Sequence, residues 1–126
     1  MKNLLSQRAD QRTGETPLHS SLARSGDDVP AADRHAVVQL LLERGTDPNR
    51  PTIPGIRSLG FWRDVRTRGE TPLHRAAAYA AEETIQLLLH SGADKTIRDA
   101  NGDSPQTWAS WHWRTKGVID LLELRQ

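Results

Sequence analysis

The sequence predicts an all-α solenoid: about three helix-turn-helix units stacked side by side, with one long finger inserted after the first. Three observations carry this. The string GETPLH occurs at Gly14–His19 and again at Gly69–His74, 55 positions apart. A weaker echo, GDSPQTWAS, follows at Gly102–Ser110, so that Thr71 and Ser104 are 33 positions apart and Pro72 and Pro105 share the register. Finally, VVQLLLERGTDPN at Val37–Asn49 parallels TIQLLLHSGADKT at Thr84–Thr96. Self-similarity at a fixed period of this size marks a repeat architecture.

The longer first spacing reconciles with the shorter one. Thr16 to Gln39 is 23 positions where Thr71 to Gln86 is 15, which places eight extra residues ahead of Val37. Gly45 to Thr71 is 26 where Gly92 to Ser104 is 12, which places 14 more beyond Gly45. These two insertions account for the 22 residues by which 55 exceeds 33.

Each letter of the unit has a physical role. Thr71 suits a helix N-cap, and Pro72 suits the first helical position, where a missing N–H costs nothing. Leu73, Ala76 and Ala77 are expected to face inward, the alanines letting two helices approach closely. Ile85, Leu88 and Leu89 recur at helical spacing and predict the buried stripe of a second helix. Gly92 fits the residue after a helix end, with positive φ. The strings AD and RDANGD then read as a turn between units.

A 33-residue period carrying T-P-L-H-x-A, then a Leu-rich segment ending in G-A-D, resembles the ankyrin repeat. The resemblance covers Thr13–Asn49 and Arg68 to about Leu124. It implies a single domain over residues 1–126: a partial capping repeat at 1–12, unit 1 at 13–49, the finger at 50–67, unit 2 at 68–100 and a C-terminal capping unit at 101–126. Leu4, Leu5, Ala9 and Asp10 have the spacing of Leu88, Leu89, Ala93 and Asp94. The chain is therefore expected to open partway through a repeat, and a half-repeat cap is favoured over a missing upstream repeat because an amputated stack would expose apolar surface. The third unit departs from the pattern, with Gln106 and Thr107 in place of the motif Leu and His. Its Trp108, Trp111 and Trp113 stand where unit 2 has Arg75, Ala78 and Ala80, and are expected to cover the end of the core.

Composition excludes several classes. Seventeen basic and 16 acidic residues nearly cancel, so no global field marks a nucleic-acid or membrane binder. The absence of cysteine removes disulfides, thiolate zinc sites and cysteine nucleophiles. No apolar run approaches the roughly 20 residues of a membrane span. An intracellular, cytoplasmic protein is expected.

The histidines read as structural. The resemblance implies that His19 and His74 bond the backbone of adjoining hairpin loops. His35, His90 and His112 are isolated, whereas a zinc site needs three or four convergent ligands. No nucleophile elbow, phosphate loop or zinc-protease motif occurs. Neither a cofactor nor catalysis is expected.

Two regions are candidates for binding. The finger, RPTIPGIRSLGFWRDVRTR at Arg50–Arg68, holds five arginines against Asp64 alone, together with Ile53, Ile56, Leu59, Phe61, Trp62 and Val65. It reads either as a local mini-core or as a recognition element presenting Phe61, Trp62, Arg63 and Arg66, since arginine beside aromatics is the composition of interface hot spots. A grip on phosphates or single-stranded nucleic acid is the alternative, against which the neutral overall charge argues. The second region is the face of hairpin tips and first helices. Register with the family's variable contact positions implies Glu15 and Arg24 in unit 1, Arg68, Glu70 and Tyr79 in unit 2, and Asn101, Asp103, Trp111 and His112 in the last. Tyr79 and Trp111 are expected to lie close on adjoining helices. The function that follows is non-catalytic binding of a protein partner of unknown identity.

Overall fold

The structure, a computed structural model, describes residues 14–22, 31–55 and 68–124. The proposed half-repeat cap at 1–12 and the distal finger lie outside them. Six helices form among the described residues: α1 Pro17–Leu22, α2 Ala31–Glu43, α3 Pro72–Tyr79, α4 Glu82–His90, α5 Pro105–Trp111 and α6 Lys116–Leu121. They sort into two layers. The first helices α1, α3 and α5 pack in sequence, as do the second helices α2, α4 and α6, and each first helix packs on its own second helix.

Local chemistry fixes where each helix starts. Thr71 is extended at φ −87° and ψ 167°, and Pro72 opens α3 at no hydrogen-bonding cost. Ser104 repeats the arrangement one period later, its hydroxyl accepting from the Thr107 amide. Thr115 does the same for α6 through the Val118 amide. Helix α4 begins with Glu82 and Glu83, carboxylates that suit the positive end of its dipole.

Helix ends and turns fall in register as well. Gly45 and Gly92 follow α2 and α4 with φ of 85° and 98°, as expected for Gly92 from the sequence. At the motif glycine, Gly14 has φ 74°, and a side chain there would meet the Ile53 amide nitrogen at 2.8 Å. Helix α2 ends in register with α4 but starts four residues earlier relative to it, so half of the eight-residue insertion is absorbed as an extra helical turn.

The core runs between the layers. Leu18, Leu22, Val38, Leu73, Ala76, Ala77, Ile85, Leu88, Ala109, Val118 and Leu122 are buried, with Leu41, Leu42 and Leu89 packed against them. Full burial of one such leucine contributes about 1.5–3 kcal/mol. The small Ala76 and Ala77 let α3 sit between its two neighbours.

Successive units are tied at both ends. At the hairpin tips, the Ala100 amide donates to the Arg68 carbonyl at 2.7 Å, and the Thr52 amide to the Glu70 carbonyl at 3.0 Å. Below the second helices, Asn49 donates to the Gly92 carbonyl at 2.9 Å and accepts from the Asp94 amide at 2.7 Å. Arg114 of the last unit reaches back to the carbonyls of Ala76, Ala77 and Ala80, satisfying the free end of α3.

Candidate functional site

The two motif histidines hold the stack from inside. The Thr16 amide donates to His19 Nδ1 at 3.1 Å, and the Thr71 amide to His74 Nδ1 at 3.1 Å. A backbone N–H can only donate, so each Nδ1 accepts and the proton sits on Nε2. His19 Nε2 therefore donates to the Glu70 carbonyl at 3.1 Å, and His74 Nε2 to the Asp103 carbonyl at 2.8 Å. The separations, 51 and 29 residues, differ by the 22 inserted residues, so both rings make the same contact to the next hairpin.

Burial pushes His19 down to about 4, with the Arg75 charge acting in the same direction against the carbonyl and carboxylates of Glu70 and Glu15. His74 is lowered by burial too, against the Asp103 carbonyl and the carboxylates of Asp99, Glu70 and Asp103, which pull it the other way. Protonation would put a second N–H on Nδ1, facing a backbone N–H. Both rings are thus held neutral as structural donors.

Beneath the tips lies a buried ionic cluster. Arg75 Nε donates to Glu70 Oε2 at 3.0 Å, and its Nη1 to Glu15 Oε2 at 2.8 Å and to the His19 carbonyl at 3.1 Å. The other Glu70 oxygen accepts from the Thr52 hydroxyl and, at 2.9 Å, from the Arg68 amide. Burial alone would raise Glu70, but the Arg75 guanidinium, the Thr52 hydroxyl and the Arg68 amide outweigh it and hold the carboxyl below its ordinary value.

This corrects the expected binding face in one respect. Glu70 was assigned to the contact surface by register, yet its exposure is 0%. Its carboxylate turns inward because Arg75, one turn into α3, offers a charge partner that solvent cannot. Glu15 turns the same way, its side chain 9% exposed. The signal was present: the glutamate recurs in both GETPLH copies, followed downstream by a lone arginine among alanines. Thr52, within the segment assigned to the finger, is likewise buried against this cluster.

The remaining predicted residues surround α5. Arg68 is exposed, its guanidinium carbon 5.8 Å from the centre of the Trp111 ring. Trp111 is 47% exposed and lies 6.3 Å from Trp108 at a tilt of 31°. Trp108 is buried, edge-on to His74 at 5.3 Å, and donates to Asp99 Oδ2 at 2.9 Å. Asp103 is half-buried, with its carbonyl occupied by His74. Tyr79 meets His112, one full period away and next to Trp111, edge-on at 5.0 Å. Phe61, Trp62, Arg63 and Arg66 lie outside the described residues.

Of the three tryptophans expected to close the core, Trp108 does so and Trp111 does so in part. Trp113 does not: it is 93% exposed. Helix α5 ends at Trp111, and Trp113 adopts φ 54°, a left-handed turn in which the Arg114 amide reaches the Ala109 carbonyl at 3.1 Å. That turn swings the indole away from the helix.

No group of three His, Asp or Glu side chains able to hold a metal occurs among the described residues. None of their helices is long and apolar enough to cross a membrane.

A family description, "Ankyrin repeat", matches residues 13–53 and 68–100. Rabankyrin-5 of Mus musculus is 42% identical over 65 residues, 52% of this chain and 5% of that protein. The 2-5A-dependent ribonuclease of Homo sapiens is 27% identical over 96 residues, 76% of this chain and 13% of that protein. Protein phosphatase 1 regulatory subunit 12A of Mus musculus is 28% identical over 114 residues, 90% of this chain and 10% of that protein. The chain thus spans a small part of the length of the curated relatives it matches.

Proposed function

This chain belongs to the ankyrin repeat family, whose members generally act as protein-interaction modules, and we propose that it binds a protein partner without catalysis through the face that carries Arg68, Tyr79, Asp103, Trp111 and His112. The observation that carries this reading is the half-exposed Trp111 under the Arg68 guanidinium. Tryptophan and arginine supply most binding hot spots, and an exposed pair of this kind stabilises the free protein by only about 0.5–1 kcal/mol. Beside it, the Tyr79–His112 contact holds a second aromatic in place at little entropic cost. The relatives bear names of unrelated whole proteins, one of them a regulatory subunit. That suits a shared recognition scaffold whose specificity resides in surface residues.

The finger is the second element of the proposal. Its root is anchored, because Thr52 bonds to Glu70 from one side while Arg68 leads into the motif from the other. Phe61, Trp62, Arg63 and Arg66 are assigned to the same recognition surface by composition and by that placement.

The test is affinity capture from the native cell with three forms: wild type, Arg68→Ala/Trp111→Ala, and Trp62→Ala/Arg63→Ala. Each double variant is expected to weaken binding at least tenfold, about 1.4 kcal/mol, with helical content retained. Undiminished capture by the Arg68/Trp111 variant would refute the face. Affinity for nucleic acid that collapses between low and moderate salt would replace a protein partner with a polyanion.

A further inference from the structure

Helix α5 ends in a turn that a glycine would make more easily. The Trp113 amide donates to the Ser110 carbonyl at 3.2 Å and the Arg114 amide to the Ala109 carbonyl at 3.1 Å, the paired bonds of a Schellman motif. Trp113 fills its left-handed position at φ 54°, where a β-carbon crowds the backbone and glycine is the usual residue. The indole returns nothing to the fold, since it is 93% exposed. Trp113 therefore weakens the free fold and leaves a large apolar surface in water.

The turn is pinned as well. Arg114, the next residue, donates to the carbonyls of Ala76, Ala77 and Ala80 on α3. An indole presented from a fixed turn loses little freedom on binding. Trp111, two residues earlier, adds a second indole at 47% exposure.

The charges around the two indoles give the chemistry of what they meet. Arg68 lies over Trp111, and Lys116 opens α6 three residues after Trp113; both are exposed. Neither is in an ion pair with a carboxylate of the described residues. Glu15 and Glu70 are turned onto Arg75, and Asp99 is occupied by the Trp108 indole and the amides of Asn101 and Asp103. Half-buried Asp103 and exposed Asp120 pair with neither cation.

We propose that Trp113 is a binding residue, set in its left-handed turn for a partner rather than for the fold. With Trp111, Arg68 and Lys116 it takes an acidic segment of a protein, carboxylates on the two cations and an apolar side chain against the indoles. This rests on the reading above, that the Arg68–Trp111 face binds a protein, and adds the chemistry of the bound segment.

The probe is a short fluorescent peptide alternating aspartate with leucine, followed by anisotropy on the full chain. A lysine-for-aspartate peptide and phosphatidylserine vesicles are its counterparts. The wild type is expected to bind the acidic peptide at least tenfold more tightly than the basic one. Trp113→Gly is expected to weaken that binding at least tenfold and to raise the urea midpoint, because it relieves the turn and removes no buried surface. Arg68→Glu/Lys116→Glu is expected to reverse the preference between the peptides. Undiminished binding by Trp113→Gly overturns the proposal, and so does a lowered urea midpoint, which would make Trp113 structural. Preference for the basic peptide or for vesicles overturns the acidic segment. If capture from the native cell falls with Arg68→Ala/Trp111→Ala while the peptide results fail, the protein-binding face stands and this inference alone is lost. If that capture is undiminished, the face is lost with it.

Discussion

Arg75 Nε donates to Glu70 Oε2 at 3.0 Å with both side chains wholly excluded from solvent. Two charges in such a place stabilise the fold only while both are present, because each was stripped of water to be there. Glu15 and Thr52 bring residues from two further segments to the same point. The cluster is therefore the knot at which unit 1, the finger root and unit 2 meet.

Removing one partner of that knot should cost far more than removing both. Arg75→Ala is expected to destabilise by about 3–5 kcal/mol, the cost of a buried charge left uncompensated. Arg75→Met combined with Glu70→Gln and Glu15→Gln should cost substantially less. Urea midpoints of the two forms test this, and a triple variant as unstable as Arg75→Ala would refute the account.

Acid should loosen the stack before the carboxylates titrate. The His19 value near 4 lies below the 6.5 of an unfolded histidine, so the unfolded chain binds the extra proton between those values. Stability is then complete above about pH 6.5 and falls on acidification, with a slope approaching 1.4 kcal/mol per pH unit for each such histidine. His74, lowered in the same sense, adds to the slope. Glu70, also held low, contributes stability present above its ordinary 4.5 and lost below it as the pH falls through its folded value. Urea midpoints at pH 7, 6, 5 and 4 should decline throughout; a flat profile from 7 to 5 would remove the histidines from this role.

His74→Ala is expected to cost about 1–3 kcal/mol, because it orphans the buried Thr71 amide and leaves the Asp103 carbonyl with the Asp99 amide alone. Zinc should leave the melting temperature of the wild type unchanged. A zinc-dependent rise abolished by His74→Ala would show that the ring serves as a ligand.

Leu88→Ala should cost about 2–5 kcal/mol, as truncation of a fully buried leucine does. Glu82→Ala, exposed at the start of the same helix, should stay within about 0.5 kcal/mol. Equal melting temperatures would contradict the packing of α4.

The sequence by itself determined what is local or periodic. A threonine before a proline, a glycine after a leucine-rich helix and a 33-residue recurrence each act through the backbone of a few neighbouring residues or through repetition. They placed the starts of α3 and α5, the positive φ of Gly92 and the buried faces of α3 and α4, while the inward role of His19 and His74 was implied by the family resemblance. The tertiary structure alone decided the fate of side chains whose partners lie far along the chain. Glu70 and Glu15 look like surface residues until Arg75 is brought between them, 60 residues from Glu15 and five from Glu70. Trp113 looks like a core cap until a left-handed turn directs it to solvent. Charge pairing and ring contact depend on direction and distance across the stack, and those exist only once the units have packed.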